Sequence, residues 1–279
     1  GLFNDTYNLK LNIMSADLRI EQFYYDFKVA YDAALMFDEE DYKHIETIKQ
    51  LNIAAKYLDF TEPYSDAFFD GAASACDYLK NNYYGKYVAC EAVVDCVGHT
   101  HIDVAWMWTY AQTKEKVQRS FSTVVELMKR YPEYRFTISQ PQLLEYLKEE
   151  APQIYGEIKK LVAQGRIDIE GAMWVEADCN LPSGESLIRQ IVWGKRFIKE
   201  EFGTDSKVLW LPDVFGYSAA IPQILSKTGV DIFVTSKIGW NEFNQIPYDL
   251  FKWVGVDGTE ISTHFMTCQD KSWNNKRAT

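Results

Sequence analysis

"VVDCVGHTHIDVAWMW" occupies residues 93–108. An apolar run, Val93 to Val97, leads into His99, His101 and Asp103 at every second position, and Trp106 and Trp108 follow. If the backbone stays extended, side chains alternate with period two, so His99, His101 and Asp103 share one face and Thr100 and Ile102 take the other. Imidazole nitrogen and carboxylate oxygen together suit zinc and related divalent ions. The plain alternative is a polar cluster where a strand meets its loop. Either way, a short apolar strand ending in polar residues opens a pattern that the following residues continue.

Four further strands are expected at Arg135–Ser139, Arg166–Glu170, Lys207–Leu211 and Asp231–Thr235. Helical spacing fills the gaps: Lys114 to Tyr131, two segments after Pro141 carrying Leu144 and Ile158, Ser183 to Gly203, and Ile221 to Thr228. Such alternation implies parallel strands joined by helical crossovers. The fold class expected is α/β, a (β/α) barrel or a closely related sheet, with more strand at Phe251–Val256 and Ile261–Phe265. Upstream, residues 15–85 carry three apolar stripes at helical spacing, the first behind Ser15 and Asp17 as plausible caps and the third after Ser65. Residues 1–88 are therefore read as a small helical leader and 89–279 as the main domain.

The 279 residues are 47% hydrophobic with a net charge of −11. That charge disfavours a phosphate-backbone partner, and no apolar run approaches the roughly 18 residues of a membrane span. Neither nucleic acid nor membrane is expected as a partner. Five cysteines without a CxxC pair suggest free thiols and a reducing compartment, with Cys96 read as a small buried residue. His44 is read as a surface residue.

In parallel α/β folds the chemistry gathers at the carboxyl ends of the strands. Here those ends carry His99, His101 and Asp103, then Gln140, then Trp174, Glu176 and Asp178, then Asp213 and Phe215, then Lys237. Asp213 is the natural further ligand for a metal held by the first strand, although it could instead cap a short helix near Ser218. Glu176 and Asp178 fit either a site or a helix-approach loop. His264 reads as a satisfied strand histidine.

"GHTHIDVAWMW" (98–108), "GAMWVEADCNLPSGES" (171–186) and "WLPDVFGYSAAIPQI" (210–224), in that order and spacing, resemble glycoside hydrolase family 38, the retaining α-mannosidases. They look most like the branch that holds cytosolic and bacterial enzymes. The resemblance implies a (β/α) barrel of about seven strands, of the glycoside hydrolase/deacetylase type, with one divalent ion at its mouth. Zinc is the expected ion, and cobalt or manganese also suits the ligands. His101 and Asp103 match two metal ligands, and Asp213 matches a residue that is both ligand and catalytic nucleophile. Trp106 and Phe215 match aromatics around the mannose ring, and Trp174 and Asp178 are carried as further substrate contacts. His99 has no ligand role in that pattern.

The implied reaction is hydrolysis of terminal α-D-mannosides with retention, through a mannosyl–Asp213 intermediate, on an α-mannoside oligosaccharide in the cytoplasm. Family members are longer, so the fourth metal ligand and the general acid are expected beyond Thr279, and this stretch alone is expected to be inactive. A homo-oligomer built through domains beyond this chain fits the same picture. Two rivals remain: a metal-dependent amide or ester hydrolase on a related barrel, and a non-catalytic carbohydrate-binding fragment.

Overall fold

A computed structural model describes residues 15–86, 95–240, 243–244 and 246–266. The chain divides into two compact units, Gly1–Val94 and Asp95–Thr279.

The first unit is helical. Helix α1 (Leu18–Ala34) starts at Asp17, α2 (Tyr42–Ala55) at Asp41 and α3 (Asp66–Leu79) at Ser65, and each cap side chain accepts a backbone N–H of its first turn. A π turn, Lys80–Tyr84, extends α3. The three helices bury Ala30, Leu51, Ala54, Ala72, Ala75 and Leu79 between them. Small residues let the backbones approach closely: a Cβ on Gly71 would lie 2.2 Å from the carbonyl oxygen of Tyr57. His44 is not simply solvated, because its Nδ1 donates to the Ala34 carbonyl at the end of α1 at 2.9 Å.

The second unit alternates strands and helices as expected. Its elements are β1 (Gly98–His99), α4 (Tyr110–Arg130), β2 (Phe136–Ile138), α5 (Pro141–Glu150), α6 (Pro152–Ala163), β3 (Ile167–Ile169) and α7 (Gly184–Phe202). Then follow β4 (Val208–Leu211), α8 (Ile221–Lys227), β5 (Ile232–Thr235), β6 (Leu250–Val254) and β7 (Glu260–Phe265). A reciprocal Thr109–Gln112 capping box starts α4 four residues before the expected Lys114. Ser183 caps α7, and Gly203 ends it at φ 71°.

The first strand is displaced from its expected place. Val93 and Val94 lie outside the described residues, Asp95 to Val97 are not strand, and Gly98 and His99 pair with Phe136 and Thr137. Cys96 therefore precedes the strand and is exposed, not buried.

The expected seven-strand barrel is likewise not what the described strands form. They make two open sheets, β1-β2-β3 and β4-β5-β7-β6, parallel except for β6, which runs antiparallel to β7. Glu170, just after β3, supplies the physical reason. Its Oε2 accepts from the backbone N–H groups of Lys207 (3.0 Å) and Val208 (3.2 Å) and from Ser206 Oγ (2.6 Å). A side chain thus takes up donors at the start of β4 that a backbone ladder from β3 would use. Beyond the strands, Cys179 and Tyr217 form an isolated parallel bridge, so the loops after β3 and β4 run together.

One apolar cluster fills the space among β1–β3, α4, α5 and α6, centred on Phe121, Ile138, Leu144 and Ile158. A second lies among β4, β5, α7 and α8, centred on Leu209, Phe233, Ile191 and Leu225. Among the described residues no helix is long and apolar enough to cross a membrane.

Candidate active site

The carboxyl ends of β1 to β5 supply every polar group of the site. His101 and Asp103 lie just beyond β1, where "GHTHID" leaves its short strand. His101 Nε2 is 3.2 Å from Asp103 Oδ1 and 3.4 Å from Asp213 Oδ2. One donor atom from each of His101, Asp103 and Asp213 lies within 4.8 Å of the others, the one such metal-type group among the described residues.

Asp213 sits on a turn that β5 pins from beside it. Thr235 Oγ1 donates to the Leu211 carbonyl (2.9 Å), Ser236 Oγ to the Pro212 carbonyl (2.7 Å), and Tyr217 Oη to the Val214 carbonyl (2.7 Å). The capping alternative fails, since α8 begins after Ala220 without a side-chain cap. Instead Asp213 Oδ1 is 2.8 Å from Nζ of Lys237, a lysine only 6% exposed at the end of β5.

His99 departs from the one-face reading. Its Nε2 donates to Ser139 Oγ at 2.8 Å, and its ring stacks on Trp210 with centroids 4.4 Å apart. Ser139 in turn donates to Glu176 Oε1, and Glu176 Oε2 accepts from His101 Nδ1. Gln140 ties the same loops together, accepting from Glu176 N (3.2 Å) and donating to the Ile102 carbonyl (2.9 Å).

The electrostatics follow from this arrangement. Burial first and the charge of His101 second hold His99 down to about 4. Burial alone would lower His101 too, but the Glu176 hydrogen bond and the charges of Glu176, Asp103 and Asp213 outweigh it and raise His101 to about 9. A site that holds a cationic imidazole among three carboxylates suits a divalent ion in the proton's place, and its nitrogen and oxygen donors suit zinc.

Two exposed rings follow the first and fourth strands, and Phe215 lies beside the site lysine. Trp106 is 64% and Phe215 72% exposed, Trp106 packs edge-on to Trp108, and Lys237 Nζ lies 5.4 Å from the Phe215 ring centre.

Residues 91–277 match the model of the glycosyl hydrolases family 38 N-terminal domain. The chain belongs to family 38.

Among its relatives, alpha-mannosidase G of Dictyostelium discoideum is 47% identical over 169 residues, 61% of this chain and 16% of that protein. The alpha-mannosidase of Saccharomyces cerevisiae is 37% identical over 230 residues, 82% of this chain and 20% of that protein. An alpha-mannosidase structure from Enterococcus faecalis superposes with a TM-score of 0.55 at 23% identity, over 61% of this chain and 19% of that one, and shares the fold. The chain thus spans about a fifth or less of the length of the curated relatives it matches.

Within the family 38 frame, the structure brings His101, Asp103 and Asp213 together. Trp174 is tied to α5 and α7, and Asp178 to its own loop. Trp174 gives its indole N–H to Gln142 Oε1 at 2.8 Å and packs edge-on against Phe197 of α7, while Asp178 Oδ1 accepts from Asn180 N and Leu181 N, both at 2.8 Å. His264, on β7, donates Nδ1–H to the Asp249 carbonyl at 3.1 Å. Sequence reasoning missed Ser139 and gave Glu176 no role. The available signal was position alone: Ser139 directly follows β2, and Glu176 lies in the loop after β3.

Proposed function

We propose that the chain forms part of a retaining α-mannosidase that hydrolyses terminal α-D-mannosides, with Asp213 as nucleophile and His101, Asp103 and Asp213 holding a divalent ion. The observation that carries this reading is Asp213 itself. One of its oxygens faces His101 and the other Lys237, at the carboxyl ends of parallel strands in a family 38 domain.

When bound, the ion would serve as Lewis acid and as template for sugar hydroxyls, zinc being the best match to one imidazole and two carboxylates. The Asp213 carboxylate attacks the anomeric carbon as the bond to the leaving oxygen breaks. A second carboxyl group, typically about 5–5.5 Å from the first in retaining enzymes, gives that oxygen its proton. Water then attacks the same carbon, loses a proton to the second carboxylate and releases Asp213, so the configuration is retained. Trp106 and Phe215 offer apolar faces for the sugar ring. Free thiols at Cys76, Cys96 and Cys179 fit a cytoplasmic setting.

The test uses the full-length protein. A fluorinated mannosyl fluoride that accumulates the glycosyl-enzyme should label the peptide containing Asp213, and Asp213→Ala should abolish both the label and turnover of an aryl α-mannoside. Affinity for mannosides without turnover in the wild type would favour a binding module. Amide or ester hydrolysis without glycosidase activity would favour the rival hydrolase.

A further inference from the structure

Glu176 is the most enclosed carboxylate around the cluster, 3% exposed against 32% for both Asp103 and Asp213. It touches His101 on the ring nitrogen opposite the one that faces Asp103 and Asp213, and it is not one of the clustered donors. We propose that Glu176 is the positioning residue of the metal centre, holding His101 with Nε2 toward the ion, and that Ser139 and His99 hold Glu176 in turn. This rests on the reading of His101, Asp103 and Asp213 as a metal site.

Hydrogen-bond accounting fixes the direction of each contact. An ionised carboxylate only accepts, so the Nδ1 of His101 that meets Glu176 carries a proton. In the neutral ring Nε2 then keeps its lone pair, and that is the nitrogen 3.2 Å from Asp103 and 3.4 Å from Asp213. The single hydroxyl hydrogen of Ser139 goes to Glu176, so the Nε2 of His99, 2.8 Å from Ser139 Oγ, must be the donor there. His99 cannot turn away without losing its stack on Trp210. The four members come from the three strands of the first sheet, His99 and His101 from β1 and its end, Ser139 from the end of β2 and Glu176 from the loop after β3, so the relay sets that sheet's strand ends relative to the ion. This gives His99 a function that ligation does not. Histidine ligands generally need such a partner on their second nitrogen to fix tautomer and ring orientation.

The experiment is a zinc titration of the metal-free, full-length protein in competition with a chromophoric chelator, alongside circular dichroism to confirm folding. Losing such a partner typically weakens metal binding roughly 10–100-fold, and that loss is expected for Glu176→Gln, with a smaller one for Ser139→Ala. Glu170→Gln, which alters a carboxylate that bridges β3 and β4 away from the ion, serves as the control and should leave zinc affinity unchanged. Wild-type affinity in Glu176→Gln, or an equal loss in Glu170→Gln, overturns the proposal while the metal site stands. A wild-type protein that binds no zinc removes the metal reading and this one with it. Where Glu176→Gln fails to fold, Ser139→Ala decides: several-fold weaker binding supports the relay, and unchanged binding overturns it.

Discussion

Lys237 Nζ lies 2.8 Å from Asp213 Oδ1, while Asp213 Oδ2 faces His101 Nε2 at 3.4 Å. The two oxygens of one carboxylate therefore face different groups, the ammonium of Lys237 on one side and the imidazole of His101 on the other. Replacing Lys237 with Met keeps the bulk and removes the charge. A charge-assisted hydrogen bond is worth about 1.5–3 kcal/mol, so kcat/KM on an aryl α-mannoside should fall by at least about tenfold. Zinc affinity should hold or rise, because a positive charge near the ion is gone. Steady-state kinetics and zinc titration on the same variant check this. A joint fall in both would mean that Lys237 shapes the metal site rather than Asp213 alone.

How far the sequence could be read depends on whether local or distant residues decide each feature. The helices were legible because their signals are local: of Ser15 and Asp17 the structure uses Asp17, Ser183 caps α7 as expected, and Gly203 stops α7 in the left-handed region. The first strand was misplaced because a two-residue strand is chosen by its partners, Phe136 and Thr137, and not by the apolar run before it. The barrel was over-read because the β3–β4 junction depends on Glu170 reaching across 37 and 38 residues to Lys207 and Val208. Within the site, the cluster of His101 and Asp103 followed from alternation, and Asp213 from its strand end. The bond from Glu176 to His101 spans 75 residues and leaves no spacing to read.

Trp106 and Phe215 are exposed enough that folding gains little from either ring. Surface truncations of this kind usually shift stability by no more than about 0.5 kcal/mol. Trp106→Ala and Phe215→Ala should therefore melt like the wild type and still raise KM for an aryl α-mannoside about tenfold, the worth of about 1.4 kcal/mol of lost ring contact. Thermal denaturation paired with KM checks the contrast. A large stability loss with unchanged KM would place both rings in the fold and not in the substrate site.

Gly171 ties the sheet to the site in a different way. A Cβ there would lie 2.0 Å from the carbonyl oxygen of Ser139 and 2.8 Å from its Cα, and these backbone atoms can give way only by shifting the end of β2. Gly171→Ala should cost about 1–3 kcal/mol as overpacking strain. Because the displaced residue is Ser139, it should also weaken zinc binding, whereas Gly156→Ala, which meets nothing within 4 Å, should do neither. Urea unfolding and zinc titration of the pair read both effects.

The two histidines of the opening motif should give the metal-free protein opposite pH limits. His101 is raised from 6.5 to about 9 by Glu176, Asp103 and Asp213 acting against burial. A raised folded value means that its contribution is complete below the ordinary 6.5 and is lost as pH climbs through 9. His99 is lowered from 6.5 to about 4, first by burial and then by the charge on His101. A depressed value means the reverse: its contribution is complete above 6.5 and is lost as pH falls through 4. These two terms together place a stability maximum near pH 6.5 in the absence of metal. Urea unfolding across pH 4 to 10 should show both limbs. His99→Gln should flatten the acid limb and leave the alkaline one in place, whereas His101→Gln should flatten the alkaline limb and also shorten the acid one, because the charge that helps depress His99 is gone. Added zinc should displace the His101 proton and flatten the alkaline limb in the wild type, because a bound ion then supplies the charge that the proton supplied.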